Sequence, residues 1–271
     1  MKGFSAQNLI LWVVLATLVA LLALQVQRSE ASLGQPTAIT GYLLIAIILA
    51  LALFNMRKRL SMVPLGRAST WLLFHGMAGV LAIAVYWLHT GTLWPLGLYE
   101  QAIAVLFYLV SVTGIVGYVM QRIYPARLTH TGLEVIYERI PAELARLRTR
   151  AEEIVVACTN ETTSDTLARH YFESFAWYFR RPRFTVSYLF GGNRGMHWVR
   201  HQRITVGRYL NDTERGFLDE LTELSYTKTR LDMHYAMQSA MKAWLLLHVP
   251  LSAALVLLSL WHMILVHIYA L

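Results

Sequence analysis

Apolar residues run in blocks along this chain rather than in alternation: five stretches, roughly residues 8–26, 40–56, 70–90, 98–120 and 242–268, are almost wholly hydrophobic. Crossing the hydrocarbon core of a bilayer takes about 20 such residues in a helix, because each advances the axis about 1.5 Å and lipid leaves no backbone polar group unpaired. The pattern predicts five transmembrane helices, the first of them an anchor despite its signal-like Met1-Lys2 start and the small residues Ser29-Glu30-Ala31-Ser32 behind it. Between the fourth and fifth blocks the pattern turns amphipathic. Leu133, Ile136, Ile140, Leu144, Leu147 and Ile154 recur at near-helical intervals and predict a helix over 132–157. A second helix is capped by Ser164-Asp165, runs through Tyr178 and ends before Arg180-Arg181-Pro182-Arg183. Phe184–Leu189 and Trp198–Val206 read as strands, with Gly191-Gly192-Asn193 as a turn. From Asn211-Asp212 a long helix continues without a breaker into the fifth span, which would join this domain rigidly to that helix. The expected fold is an all-α membrane protein with a four-helix bundle, carrying a small α+β domain (121–240) between spans one to four (1–120) and span five (241–271).

Composition agrees with lipid and excludes an ordinary soluble protein. The 271 residues are 56% hydrophobic and only 15% charged, with mean hydropathy +0.44 and net charge +8, against about 25% charged in soluble domains. Residues 121–240 hold 17 of the 24 Lys and Arg and 14 of the 16 Asp and Glu, so the charge gathers in the inserted domain. Arg57-Lys58-Arg59 and Arg67 follow the second span, and Arg122 and Arg127 follow the fourth. Because basic loops stay on the cytoplasmic side, the N-terminus and the inserted domain are expected inside an inner membrane of bacterial type, and the C-terminus outside. Trp87, Trp94, Tyr99, Trp261 and Tyr269 then mark the outer interface.

Ionisable side chains within spans are rare and costly, so each is a functional hypothesis. Here they are histidines: His75 and His89 in the third span, His248 and His262 in the fifth, with His267 near its end. Each pair is 14 residues apart, which at about 1.5 Å per residue is about 21 Å and returns both rings to nearly one helix face. The two helices run in the same direction, so His75 lies level with His248 and His89 with His262. Two stacked bis-imidazole sites suit two b-type haems, with these four histidines as axial iron ligands. Small residues such as Gly79, Gly76 and Ala82, and Gly114 and Gly117 of the fourth span, leave room for a wide ring or else for close helix packing. Arg67 and Lys242 are candidate partners for haem propionates. The alternative is that the histidines hydrogen-bond between helices as polar contacts, or line a proton or ion path, in a non-redox scaffold or transporter.

The His-x13-His pattern in both helices resembles the bis-His pattern of the di-haem cytochrome b of quinol:cytochrome c oxidoreductases, and is similar to the transmembrane domains of ferric reductases and NADPH oxidases. The resemblance covers spans two to five. It implies two low-spin haem b groups that pass electrons across the membrane between a quinone and partner redox subunits, or a ferric-reductase-like donor to a soluble acceptor. The chain departs from both relatives in its extra first span and its large inserted domain.

The chain has one cysteine, Cys158, and no flavin, iron–sulfur or c-type haem motif. Such centres are expected on partner subunits of a hetero-oligomeric complex. Phe190-Gly191-Gly192-Asn193-Arg194-Gly195 lacks the strand-turn-helix setting of a dinucleotide fingerprint. His197 and His201 are read mainly as surface residues. The arginines at 180, 181, 183, 194, 200, 203 and 208 suit anionic headgroups or an acidic partner, with a solvated face as the commoner reading, and a domain charge of only +3 speaks against nucleic acid. His267 is a group that orients a ligand through a hydrogen bond, a proton carrier for a quinone, a ligand for a partner's cofactor, or an interfacial residue without a role.

Overall fold

The computed structural model describes residues 6–31, 36–54 and 67–269. They form helices α1 (Ala6–Ala31), α2 (Pro36–Leu53), α3 (Ala68–Thr90), α4 (Leu98–Thr129), α5 (Ile140–Thr162), α6 (Thr166–His170), α7 (Ala176–Phe179), α8 (Thr185–Leu189), α9 (Arg194–Val206) and α10 (Asp212–Tyr269). Five of them, α1 to α4 and α10, are long and apolar enough to cross a membrane, the mark of a multi-pass membrane protein. The chain divides into two compact units, residues 1–119 with 244–271, and residues 120–243.

In the first unit one apolar core joins four helices: Leu44, Ile47 and Ile48 of α2, Ala82, Val85 and Tyr86 of α3, Ala104 and Phe107 of α4, and Leu255 of α10. Tyr86 stacks on Phe107 with ring centroids 4.1 Å apart at 12°. On α3 this core falls between His75 and His89, so the two histidine levels are separated by packed side chains. Helix α1 adds Leu22 to that cluster and lies against α2 and α3. Between 6% and 22% of each span's most apolar stretch is buried inside the protein. The remaining Leu, Ile and Val faces suit lipid, which is as apolar as they are. Helix α3 closes on Gly91, whose φ of 62° lets its N–H reach the Trp87 carbonyl. Arg57-Lys58-Arg59, on which the expected orientation partly rests, lie outside the described residues.

The second unit is helical, and no strand occurs among the described residues, which corrects the expected α+β domain. The segments read as strands are α8 and most of α9. Gly195, Val199 and Val206 are the buried positions of α9, spaced by four and seven as a helix requires, whereas β-branched composition had suggested alternation. Gly191-Gly192 does make a turn, but between helices. Gly191 at φ 80° gives its N–H to the Tyr188 carbonyl and Gly192 N–H reaches Ser187 O at 2.8 Å, a Schellman closure of α8. The helix expected over 132–157 starts only at Ile140, because Pro141 has no N–H to give and takes the first turn. The second expected helix is continuous from Thr166 to Phe179 but widens to a π turn at Tyr171–Phe175. Helix α10 opens with a reciprocal cap: Asn211 Oδ1 accepts Glu214 N–H at 2.8 Å, and Glu214 Oε2 accepts Asn211 N–H at 2.9 Å. It then runs unbroken for 58 residues, as expected.

Ala151, Ile154, Cys158, Leu167, Phe175, Phe179, Val199 and Leu221 make this unit's core. Within it Lys228 and Asp232 of α10 are both fully buried and meet at 2.5 Å. Lys228 also donates to the Arg181 carbonyl and lies 4.0 Å over the Tyr178 ring. Burial works against both charges, pushing the Asp232 carboxyl up to about 6 and the Lys228 ammonium down to about 8.

Candidate functional site

The four histidines of the spans sit on the two helices that sequence assigns them, α3 and α10. His75 lies within electrostatic range of His248, and His89 within range of His262. All four are half-buried. Among the described residues no three His, Cys, Asp or Glu side chains converge on one point, so the donors come in twos.

His89 is held from α2. Its Nδ1 donates to the Thr37 carbonyl at 3.0 Å and lies 3.3 Å from the Thr40 hydroxyl, whose own hydrogen goes to the Pro36 carbonyl at 2.9 Å. A carbonyl can only accept, so Nδ1 carries the proton and Nε2 keeps a free lone pair. Gly41 backs the ring: a Cβ there would lie 2.9 Å from His89 Cε1. On the other side His262 stacks on Tyr99, ring centroids 6.0 Å apart. His89 and His262 both line a cavity of about 310 Å³, whose wall also includes Tyr42, Glu100, Ser259 and His267. That volume is at the lower end of cofactor and ligand pockets, roughly 300–1,000 Å³. At its edge the Tyr42 hydroxyl donates to His267 Nε2 at 2.7 Å, since His267 Nδ1 is already spent on the Met263 carbonyl at 2.8 Å.

His248 is held from α4 in the same manner. Thr113 gives its hydroxyl hydrogen to the Leu109 carbonyl at 2.8 Å and so accepts from His248 Nδ1 at 2.9 Å, which again leaves Nε2 with its lone pair. Trp244 stacks on the imidazole at 5.3 Å and 17°, and its Nε1 donates to the Thr113 carbonyl at 2.7 Å. Gly114 faces His248 Cε1 at 3.4 Å for a hypothetical Cβ, while Gly117 lies under the Trp244 ring, where a Cβ would clash at 2.0 Å. Of the two α4 glycines, one therefore backs a histidine and the other serves close helix packing. His75 rests against Phe54, centroids 4.6 Å apart, and its buried Nδ1 has no hydrogen-bond partner among the described residues. Gly79, one turn along α3, faces open space: an added Cβ meets nothing within 4 Å.

The other sequence candidates fall elsewhere. Arg67 is exposed ahead of α3 and makes no side-chain cap bond. Lys242 is paired with Glu138 and lies 4.3 Å over the Tyr137 ring, so its charge is already met within residues 120–243. His197 and His201 are exposed one turn apart on α9, and Cys158 is buried in the core. Thr37, Thr113, Gly41 and Trp244 were not singled out from sequence. The available signal was a hydroxyl or a glycine inside an otherwise aliphatic span, which only the neighbouring helix turns into a partner for a ring. Comparison with protein-family profiles, with characterised proteins and with solved structures gives no match.

Proposed function

We propose that the chain is a di-haem b-type membrane cytochrome subunit, in which His75 and His248 ligate one haem iron and His89 and His262 the other. One observation carries the reading. His75 lies within electrostatic range of His248, and His89 of His262, with which it lines one cavity; in each couple one ring, His89 or His248, has its Nδ1 tied to a threonine so that Nε2 is free. Metal-bound histidines are commonly oriented through the second nitrogen in this way. The cavity beside His89 and His262, the open space at Gly79 and the glycines behind His89 and His248 add room for a flat group.

Haem, when bound, supplies one-electron redox chemistry. The protein's part is to fix the imidazoles, keep water from the levels between them with the Tyr86–Phe107 core, and set the spacing, about 21 Å along α3 from its helical rise. With no flavin, iron–sulfur or c-type motif of its own, the chain works beside redox subunits and exchanges electrons with membrane quinone. A quinol gives up two protons with its two electrons; at the His89/His262 level the Tyr42–His267 pair offers one base, His267 Nε2, for one of them, and the other would pass to water. The basic loops support an inner membrane of bacterial type with the N-terminus and residues 120–243 on the cytoplasmic side.

A second reading has a specific observation in its favour. The bonds from His89 to Thr37 and from His248 to Thr113 join neighbouring helices, which is also what a colourless scaffold with polar interhelical contacts requires. A dithionite-reduced minus oxidised spectrum of the purified protein separates the two. The proposal expects a b-type alpha band and His75→Ala or His262→Ala each lowering haem content from two to about one; a colourless wild type overturns it.

A further inference from the structure

Helix α8 is an unusual object for the surface of a protein in water. It is one turn long, and two of its apolar side chains point outward, Val186 at 67% exposure and Phe190 at its end at 85%. Tyr188 between them is buried, so outward and inward faces are sharply divided. The turn is held from both sides. Phe184 starts it in a left-handed conformation, φ 56°, which costs a non-glycine residue energy. Arg183 N–H just before it is tied to Asp232 Oδ2 at 3.1 Å. At the far end Arg127 of α4 reaches the Leu189 carbonyl and lies against Gly191, where a side chain would collide with its guanidinium at 2.7 Å. Strain and anchoring thus go into presenting a greasy face, not hiding it.

Two further observations say what that face meets. In sequence, Arg127, which holds α8, follows the end of the fourth apolar run near residue 120 by only seven residues. Exposed arginines flank α8 in sequence on both sides, Arg180 and Arg181 before it and Arg194 after it, with no acidic residue between 174 and 211. Exposed apolar side chains flanked in sequence by arginines are the composition of a segment that lies in the interface of an anionic membrane. We propose that α8 is such an interfacial anchor, with Val186 and Phe190 inserted among acyl chains and the arginines on anionic headgroups. The inference does not depend on haem binding.

The test uses the full chain reconstituted in vesicles, carrying a nitroxide on Phe190→Cys, with the same label on Val156→Cys of α5 as the control; Cys158 is buried and stays unlabelled. Collision rates with oxygen, which concentrates in lipid, and with a water-confined nickel chelate report depth. In vesicles containing phosphatidylglycerol the 190 label should favour oxygen and the 156 label nickel. Arg181→Gln with Arg194→Gln, or pure phosphatidylcholine, should shift the 190 label toward nickel. A 190 label that favours nickel in anionic vesicles, or is shielded from both reagents as it would be under a protein partner, overturns the proposal. Equal readings in both lipids overturn the role given to the arginines.

Discussion

The two units bury ionisable groups in opposite ways. Residues 120–243 enclose Lys228 against Asp232, a charge met by its opposite at 2.5 Å with both side chains fully buried. The membrane unit sets histidine toward histidine, with Glu100 in the wall of the cavity that His89 and His262 line, and leaves ring nitrogens of His89 and His248 unshared. In the first arrangement each charge has its counter-ion within the unit, although Asp232 Oδ1 is buried without a hydrogen-bond partner among the described residues. In the second, like donors face one another, an arrangement that the proposed haem ligation would complete. The same physical cost, desolvation of an ionisable side chain, is therefore offset in part within one unit, while in the other it would fall to the haem of the proposed function.

The largest effect should come from breaking the buried ion pair. Lys228→Met leaves Asp232 buried without its cation and should destabilise by about 3–5 kcal/mol, whereas Lys228→Met with Asp232→Leu should be close to neutral or stabilising. Thermal unfolding followed by circular dichroism reads both, and equal losses in single and double variants would deny that the pair is self-contained. Next, in the membrane unit, Thr113→Val removes the partner of His248 Nδ1. Loss of an outer-shell partner costs a metal-bound histidine about 10–100-fold in affinity, read here as haem lost on dilution, while a purely interhelical contact predicts a stability loss of about 0.6 kcal/mol and no pigment to lose.

Gly41→Ala pushes a methyl onto His89, an overpacking cost of about 1–3 kcal/mol, and should perturb only the His89/His262 level. A redox titration that showed both haems shifted would contradict two independent sites. The smallest effect is with pH. Lys228 holds its proton less tightly folded, at about 8 against an ordinary 10.5, so its burial penalty is complete below 8 and lifts as pH rises from 8 toward 10.5. Asp232 holds its proton more tightly folded, at about 6 against 3.8, so its penalty is complete above 6 and lifts as pH falls from 6 toward 3.8. Melting temperature, wild type minus double variant, should be lowest between pH 6 and 8 and rise on either side.

Much of the membrane unit was legible in the sequence because lipid imposes one rule, helices of about 20 apolar residues, and because a histidine stands out against Leu and Val. The spacing of 14 is what led to the expected pairing of His75 with His248 and His89 with His262. What sequence did not reveal was the supporting shell. Thr37, Thr113 and Gly41 matter only through a neighbouring helix, and no periodicity within their own spans marks them. The inserted segment was harder for a different reason. Val186, Val199 and Val206 carry strand-like composition, but burial of Val199 and Val206 on one face of α9 decides for helix, and that choice is made by the core around Tyr178 and Trp198 rather than by local preference. Lys242 shows the same limit: position suggested a propionate partner, and Glu138, 104 residues away, takes its charge.

The central claim concerns pairing, so the decisive measurement counts haem per chain in double variants. His75→Ala with His248→Ala removes both ligands of one iron and should leave about one haem; His75→Ala with His89→Ala takes one ligand from each and should leave none firmly bound. One haem remaining in both variants, or none in the first, would contradict two stacked sites shared by α3 and α10.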